Sequence, residues 1–309
     1  MKLQQNVQPN NAQPGAGAID PRRPYQGLQY APGTQFPDYV TAVGNSVPVG
    51  FINYLPNSAQ SNYHALFARF EKRFSSGFSI LSSYTFSKAI TNAPQFRNAG
   101  GAGGAENSPA QDSYNLAGER GLASFDVESR WVDTFIYDVP VGKRGKYLQS
   151  GPMAAVFGDI QLSGIYQMQT GFPFTINLKG DTAGVGAGTG GIFVRPNAVL
   201  GVPVQLDGSQ RSTSEWFNTA AFTAPPNFAF GNLGRNTVIG PGLVNLDLVL
   251  VKTFYIREGL RMEFRAEAFN IANHPNYSII GRILNDPTFG RVLSQLDPRQ
   301  LQFGAKIVF

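Results

Sequence analysis

The sequence predicts an all-β chain: about seven long antiparallel strands forming a segment of a transmembrane β-barrel, with short periplasmic turns and long extracellular loops. Three observations carry that reading. Several segments alternate apolar and polar residues with period 2 over about 10–12 residues. A tilted strand needs that length to cross a bilayer, whereas strands average ~5–6 residues in soluble proteins. The connections also alternate in length. Finally, one face carries full charges in consecutive positions, which a sandwich core could not bury unpaired and a wide, wet lumen accepts.

Residues 1–60 are rich in Pro, Gly, Asn and Gln and read as loop, with one short strand near 49–55. Over 63–74, Leu66, Ala68, Phe70 and Phe74 share one parity, and Arg69, Glu71 and Arg73 the other. Ser75-Ser76-Gly77 makes a tight turn. The next strand puts Phe78, Ile80, Tyr84 and Phe86 opposite Ser79, Ser83, Thr85 and Ser87, completing a hairpin.

A long connection over 88–128 contains Gly100-Gly101-Ala102-Gly103-Gly104. Over 130–139, Trp131, Phe135, Tyr137 and Val139 alternate, although Asp133 falls on their face and Val132 and Ile136 on the other. The connection at 140–158, which includes Gly142-Lys143-Arg144-Gly145, departs from the short-turn rule. A strand follows over 159–176, with Ile160, Leu162, Tyr166 and Met168 opposing Gln161, Ser163, Gln167 and Gln169.

A Gly-rich connection spans 178–242. Val244, Leu246, Leu248, Leu250 and Phe254 then alternate with Asn245, Asp247 and Thr253. After the turn Arg257-Glu258-Gly259, Met262, Phe264, Ala266 and Ala268 oppose Arg261, Glu263, Arg265 and Glu267, four charges expected to face the lumen. A further loop, 273–298, leads to the last strand. There Leu301, Phe303, Ala305, Ile307 and Phe309 form one face, against Gln302, Gly304 and Lys306. Trp131, Tyr84, Phe174 and Phe254 are candidates for interface girdles.

Composition agrees. Only 15% of the 309 residues are charged, against roughly 25% in ordinary soluble proteins. Cysteine is absent, which excludes disulfides, thiolate metal sites and thiol nucleophiles. The net charge of +5 comes from scattered residues with short clusters such as Arg22-Arg23. They read as solvated surface charge, and no nucleic-acid partner is expected. No stretch approaches the ~20 apolar residues of a membrane helix. The first residues lack the apolar core of a signal peptide. Seven is an odd strand number, and bacterial single-chain barrels use even numbers from 8 upward. Both points lead to the expectation of an open partial barrel whose N-terminal portion is missing.

The polar residues offer no catalytic constellation. Gly186, Gly188 and Gly191 fit G-x-G-x-x-G, but without a preceding strand and following helix they read as loop. Gly142-Lys143-Arg144-Gly145-Lys146 lacks P-loop spacing. His64 and His274 have no second ligand at metal-binding spacing. No G-x-S-x-G elbow occurs. Glu263 and Glu267 stand about 13 Å apart along a strand, too far for glycosidase geometry. Pairing with Arg261 and Arg265 is the better reading. No enzymatic activity, cofactor or metal is expected.

Separated motifs resemble the barrel of Oar-like TonB-dependent receptors. They are Asn62-Tyr63-His64-Ala65-Leu66 with Glu71-Lys72-Arg73-Phe74; Ser83-Tyr84-Thr85-Phe86-Ser87-Lys88; and Gly164-Ile165-Tyr166 with Thr170-Gly171-Phe172-Pro173-Phe174. Trp216-Phe217-Asn218, Ala221-Phe222, Gly231-Asn232 and Gly240-Pro241-Gly242 continue the match. The closest stretch is Phe264-Arg265-Ala266-Glu267-Ala268-Phe269-Asn270, followed by Asn273-His274-Pro275-Asn276 and Asp297-Pro298-Arg299-Gln300. The resemblance covers roughly 50–309. It implies a plugged barrel of about 22 strands in the outer membrane of a Gram-negative bacterium, and TonB-powered substrate uptake. This chain would form its C-terminal part, with 1–60 an extracellular loop and 61–309 barrel wall. The partners implied are outer-membrane lipid, the barrel assembly machinery (for which the last strand, ending in Phe309, resembles the recognition signal), and the TonB complex through a plug this chain lacks. The ligand is not legible. A passive porin or adhesin-like barrel, or a secreted soluble β-sandwich that binds carbohydrate, are the alternatives.

Overall fold

The computed structural model describes residues 7, 9–26, 29–30, 47–48, 56–75, 77–93, 110–143, 145–186 and 194–309. The strand expected near 49–55, the glycine run at 100–104, and Gly188, Gly191 and Arg144 lie outside these residues. Seven long strands dominate: β1 (Ser61–Ser75), β2 (Phe78–Thr91), β3 (Ser129–Asp138), β4 (Ile160–Gln169), β5 (Leu243–Arg257), β6 (Leu260–Phe269) and β7 (Gln300–Val308). They form one antiparallel sheet in chain order, with β1 and β7 at its edges.

The register gathers the alternating patterns onto common faces. In one cross-sheet row Leu301 pairs with Ala268, Ala268 with Leu248, Leu248 with Gly164, Gly164 with Phe135, and Phe135 with Ile80. Paired residues in an antiparallel ladder project to the same side, so the apolar sets read strand by strand make a single face. The opposite row runs Gln302, Glu267, Val249, Ser163, Ile136, Ser79. Gly164 has a steric role in the apolar row. A Cβ there would stand 2.8 Å from the Phe135 ring and 2.6 Å from the Leu248 side chain, so both lean over it.

Two turns at one end of the sheet are tight. Gly77 and Gly259 each precede the returning strand with φ of 78° and 76°, the left-handed region that glycine enters without steric cost. Beside each, the ladder shifts register, between Lys72 and Ser75 and between Tyr255 and Arg257. That combination is the bulged hairpin turn. The third connection at this end, between β3 and β4, is long and holds the short helix α1 (Pro152–Phe157).

The strand expected over 159–176 ends at Gln169. Alternation continues through Phe172, Phe174 and Ile176, but the chain leaves the sheet. At Gly171 it passes so close to the carbonyl of Gly240 that no side chain would fit. Phe174 is therefore not a girdle residue. It is buried in a second structure built by the long connections.

That structure is a cap at the opposite end from the tight turns. Three two-residue strand pairs frame it: Pro173–Phe174 with Val238–Ile239, Asn197–Ala198 with Phe222–Thr223, and Asn177–Leu178 parallel to Ile283–Leu284. Among the described residues the buried apolar cluster lies here and not between sheets, comprising among others Phe174, Ile176, Val194, Phe217, Phe222, Val238 and Ile280. Phe217 is fully buried, with the rings of Phe289, Phe222 and Phe174 edge-on at 5.2, 5.6 and 6.0 Å. The connections read from sequence as loop, 178–242 and 273–298, thus both contribute described residues to a packed core. Residues 9–26 join them through Ala12 N–H to the Val185 carbonyl at 3.0 Å and Gly15 N–H to that of Ala183 at 3.3 Å.

Candidate functional site: the cap, its rim and the polar face

The cap is fixed by buried polar groups. Arg195 forms a two-pronged ion pair with Glu119, both side chains being almost fully buried. Gln111 binds both partners' surroundings: its N–H donates to Glu119 Oε1, its Oε1 accepts from Arg195 N–H, and its Nε2 donates to the Gly231 carbonyl. Arg235 ties the cap to β2, donating to the carbonyls of Thr91 and Ala93 at 2.7 Å. Asn236 shares a hydrogen bond with Thr175 and donates to the Leu122 carbonyl. These residues come from separated segments, so no local periodicity could have marked them.

The cap covers the polar side of the sheet's upper end. Ser87, Ala89 and Thr91 of β2 are buried, whereas Phe86 and Lys88 on the opposite face are exposed. At this rim β3 and β4 part above Ser129 and Thr170: the Thr170 N–H still donates to the Ser129 carbonyl, and the Ser129 N–H donates to the Thr170 hydroxyl. A cavity of about 580 Å³ opens there, lined by Lys88, Asp126, Glu128, Gln205 and Arg211 with Phe86, Leu122 and Ile239. Both amide atoms of Gln205 are buried without a hydrogen-bond partner. Burial raises the Asp126 pKa above the usual carboxylate value. The hydrogen bond from Ala89 N–H pulls it down, Glu128 pushes it up, and Lys88 lowers it. Cations, anions and amide groups converging on one cavity suit a polar ligand with both donors and acceptors.

On the polar face below, Arg261 pairs with Glu263 at 3.0 Å, and Arg265 pairs with Glu267. Each pair spans two residues along β6, the spacing at which side chains of one face are neighbours. Lys306 lies across from Glu263 and Gly304 across from Arg265. Arg69 and Arg73 flank Glu71 on β1 at 2.8 and 3.5 Å in the same way. On β7, Leu301, Phe303, Ala305 and Ile307 lie exposed on the apolar face, and Phe309 follows the strand. His274 sits in a turn held by Asn270, whose side chain accepts from His274 N–H and donates to its carbonyl. Asn276 likewise holds both backbone groups of Val244 at the start of β5. The Asn-rich motif after β6 is thus a backbone clamp.

The apolar face leaves Leu66, Phe70, Leu301, Phe303 and Ile307 each at least 60% exposed, and among the described residues no second sheet covers them. Near the cap it carries Trp131, whose indole donates to Ser82 and Asp133 and packs edge-on against Tyr166. An outer membrane beta barrel domain model matches residues 1–302. The chain belongs to this outer-membrane barrel family. It is a β-barrel protein of the bacterial outer membrane, where lipid covers the exposed apolar face. The soluble-sandwich alternative is thereby set aside: a sandwich would have packed this face against a second sheet. No curated protein matches the chain, and no solved structure matches it.

Proposed function

We propose that this chain forms the C-terminal part of the barrel wall of an Oar-like TonB-dependent receptor, taking part in substrate uptake across the outer membrane rather than in catalysis. The observation that carries the reading is the pair of sheet edges. β1 and β7 do not pair with one another, and backbone groups in lipid must all be hydrogen-bonded, so further strands complete the wall. The ordered sequence motifs of 50–309 support the receptor family. In this reading 61–309 is barrel wall and 1–60 an extracellular loop, consistent with the attachment of residues 9–26 to the cap.

Arg261, Glu263, Arg265 and Glu267 face the lumen, and the cap with its rim cavity meets the ligand. Leu301, Phe303, Ala305, Ile307 and Phe309 present the signal read by the barrel assembly machinery. TonB acts through a plug outside this chain. The test is uptake by cells carrying the receptor of a panel of fluorescent siderophores, oligosaccharides and peptides, with and without an uncoupler. Uptake of a panel member that stops when the proton-motive force collapses supports the reading. Uptake that persists identifies a passive porin and overturns it.

A further inference from the structure

The long β3–β4 connection holds a cation buried against the face that meets lipid. Lys252 lies on the apolar face of β5, flanked in register by Ile160 and Phe264, and is 6% exposed. Its ammonium donates to the Gly158 carbonyl, at the C-terminal end of α1, and stands 5.1 Å from the centroid of the Phe254 ring. Among the described residues no carboxylate lies within ion-pair distance of it. Beside it, between α1 and β5, opens a cavity of about 240 Å³ that Lys143, Gln149 and Ser150 also line. One carboxylate, Asp159, borders the cavity, and it accepts from the Lys143 backbone N–H at 3.3 Å. On α1 itself Met153, Val156 and Phe157 are each more than half exposed.

A buried cation without a counter-ion is costly, and its environment is expected to supply an anion. Here the surroundings are specific. The cavity opens at the tight-turn end of the sheet, which the rule of short periplasmic turns makes the periplasmic end, and the apolar lip of α1 continues the lipid-covered face. The anion that arrives there attached to apolar chains is a lipid phosphate. We propose that this cavity binds the headgroup of an anionic phospholipid of the periplasmic leaflet. The phosphate lies between Lys252 and Lys143, Gln149 and Ser150 donate to its oxygens, and the acyl chains run beside Phe254 and Phe157.

The experiment uses the full chain reconstituted in phosphatidylcholine vesicles with spin-labelled phosphatidylglycerol or spin-labelled phosphatidylcholine. Electron paramagnetic resonance reads the motionally restricted fraction of each. One lysine near a membrane surface corresponds to about a fivefold preference for the anionic lipid, and that is the effect expected. Lys252→Met, which keeps the packing, abolishes the preference, while Lys306→Met on the polar face leaves it. Should Lys252→Met fail to fold, Lys143→Gln reduces the preference in its place. Equal restricted fractions in the unaltered chain overturn the proposal. So does displacement of the labelled lipid by inorganic phosphate, which marks a free-anion site.

Discussion

Glu119 and Arg195 meet inside the cap with two parallel contacts of 2.9 and 3.0 Å, although 76 residues separate them in sequence. Removing one partner of such a buried pair leaves the other charge without compensation, at a cost of about 3–5 kcal/mol. Glu119→Gln is expected to loosen the cap while the sheet persists. With Trp131→Phe as background, Trp216 is the only remaining tryptophan, and its emission reports the cap alone. A red shift and early unfolding of that signal, with heat-modifiable gel mobility retained, is the expected result. Replacing both partners together, by Glu119→Leu and Arg195→Met, recovers most of the loss, because well-packed apolar side chains need no charge compensation.

Val249 and Leu250 are consecutive on β5 and project to opposite faces, beside Glu267 and Ala266 respectively. Leu250→Arg places a charge in lipid and should cost about 2–4 kcal/mol if it lies near the midplane. Val249→Arg places it beside the Glu267 carboxylate in a solvated setting and should change stability by about 0.5 kcal/mol or less. Denaturant titration of the two variants in vesicles measures the difference. Similar losses from both would contradict the assignment of faces.

Phe309 lies beyond β7 and is almost fully exposed. Its deletion is expected to leave unfolding of the refolded protein unchanged. The amount recovered in outer-membrane fractions of expressing cells should fall severalfold. Unchanged membrane recovery would remove Phe309 from the proposed assembly signal.

Asp126 gives the rim a pH dependence whose sign follows from its raised pKa. Between the unfolded and the folded pKa the folded state holds more proton, so stability rises as pH falls through the folded value toward the unfolded one. Above both values the buried carboxylate is charged and its desolvation weakens the rim. Asp126→Asn keeps an acceptor for Ala89 N–H and removes the titration. Thermal unfolding read at Trp216 should show the mildly acid-favoured step in the parent and a flatter profile in Asp126→Asn.

The strands were legible because each carries its own evidence. Met262, Phe264, Ala266 and Ala268 alternate with charges, and a slip of one residue would turn every charge into lipid. Strand ends were less legible: parity runs on through Phe172, Phe174 and Ile176, and only the approach of Gly171 to Gly240 ends β4. The cap was not legible at all. Its core draws Phe217, Phe222, Val238 and Ile280 from non-adjacent, two-residue strands and turns, too short to impose a period. The pairing of Arg195 with Glu119 has no local signature either. Lys252 carries no local signal of a site, and only the path of the β3–β4 connection gives it surroundings.

The contrast between sheet and cap sets an order of events during folding. Every long strand bonds to the next long strand along the chain, so no pairing in the sheet has to reach past another long strand, and the cost of closing even the long connections grows only slowly with their length. The cap has no such option. Arg235 must find the end of β2, Arg195 must find Glu119, and residues 9–26 must find the segment at 183–185. These encounters become frequent only once the strands hold the segments near one another. The cap is therefore expected to close last, so that its closure would report strands already in their correct register.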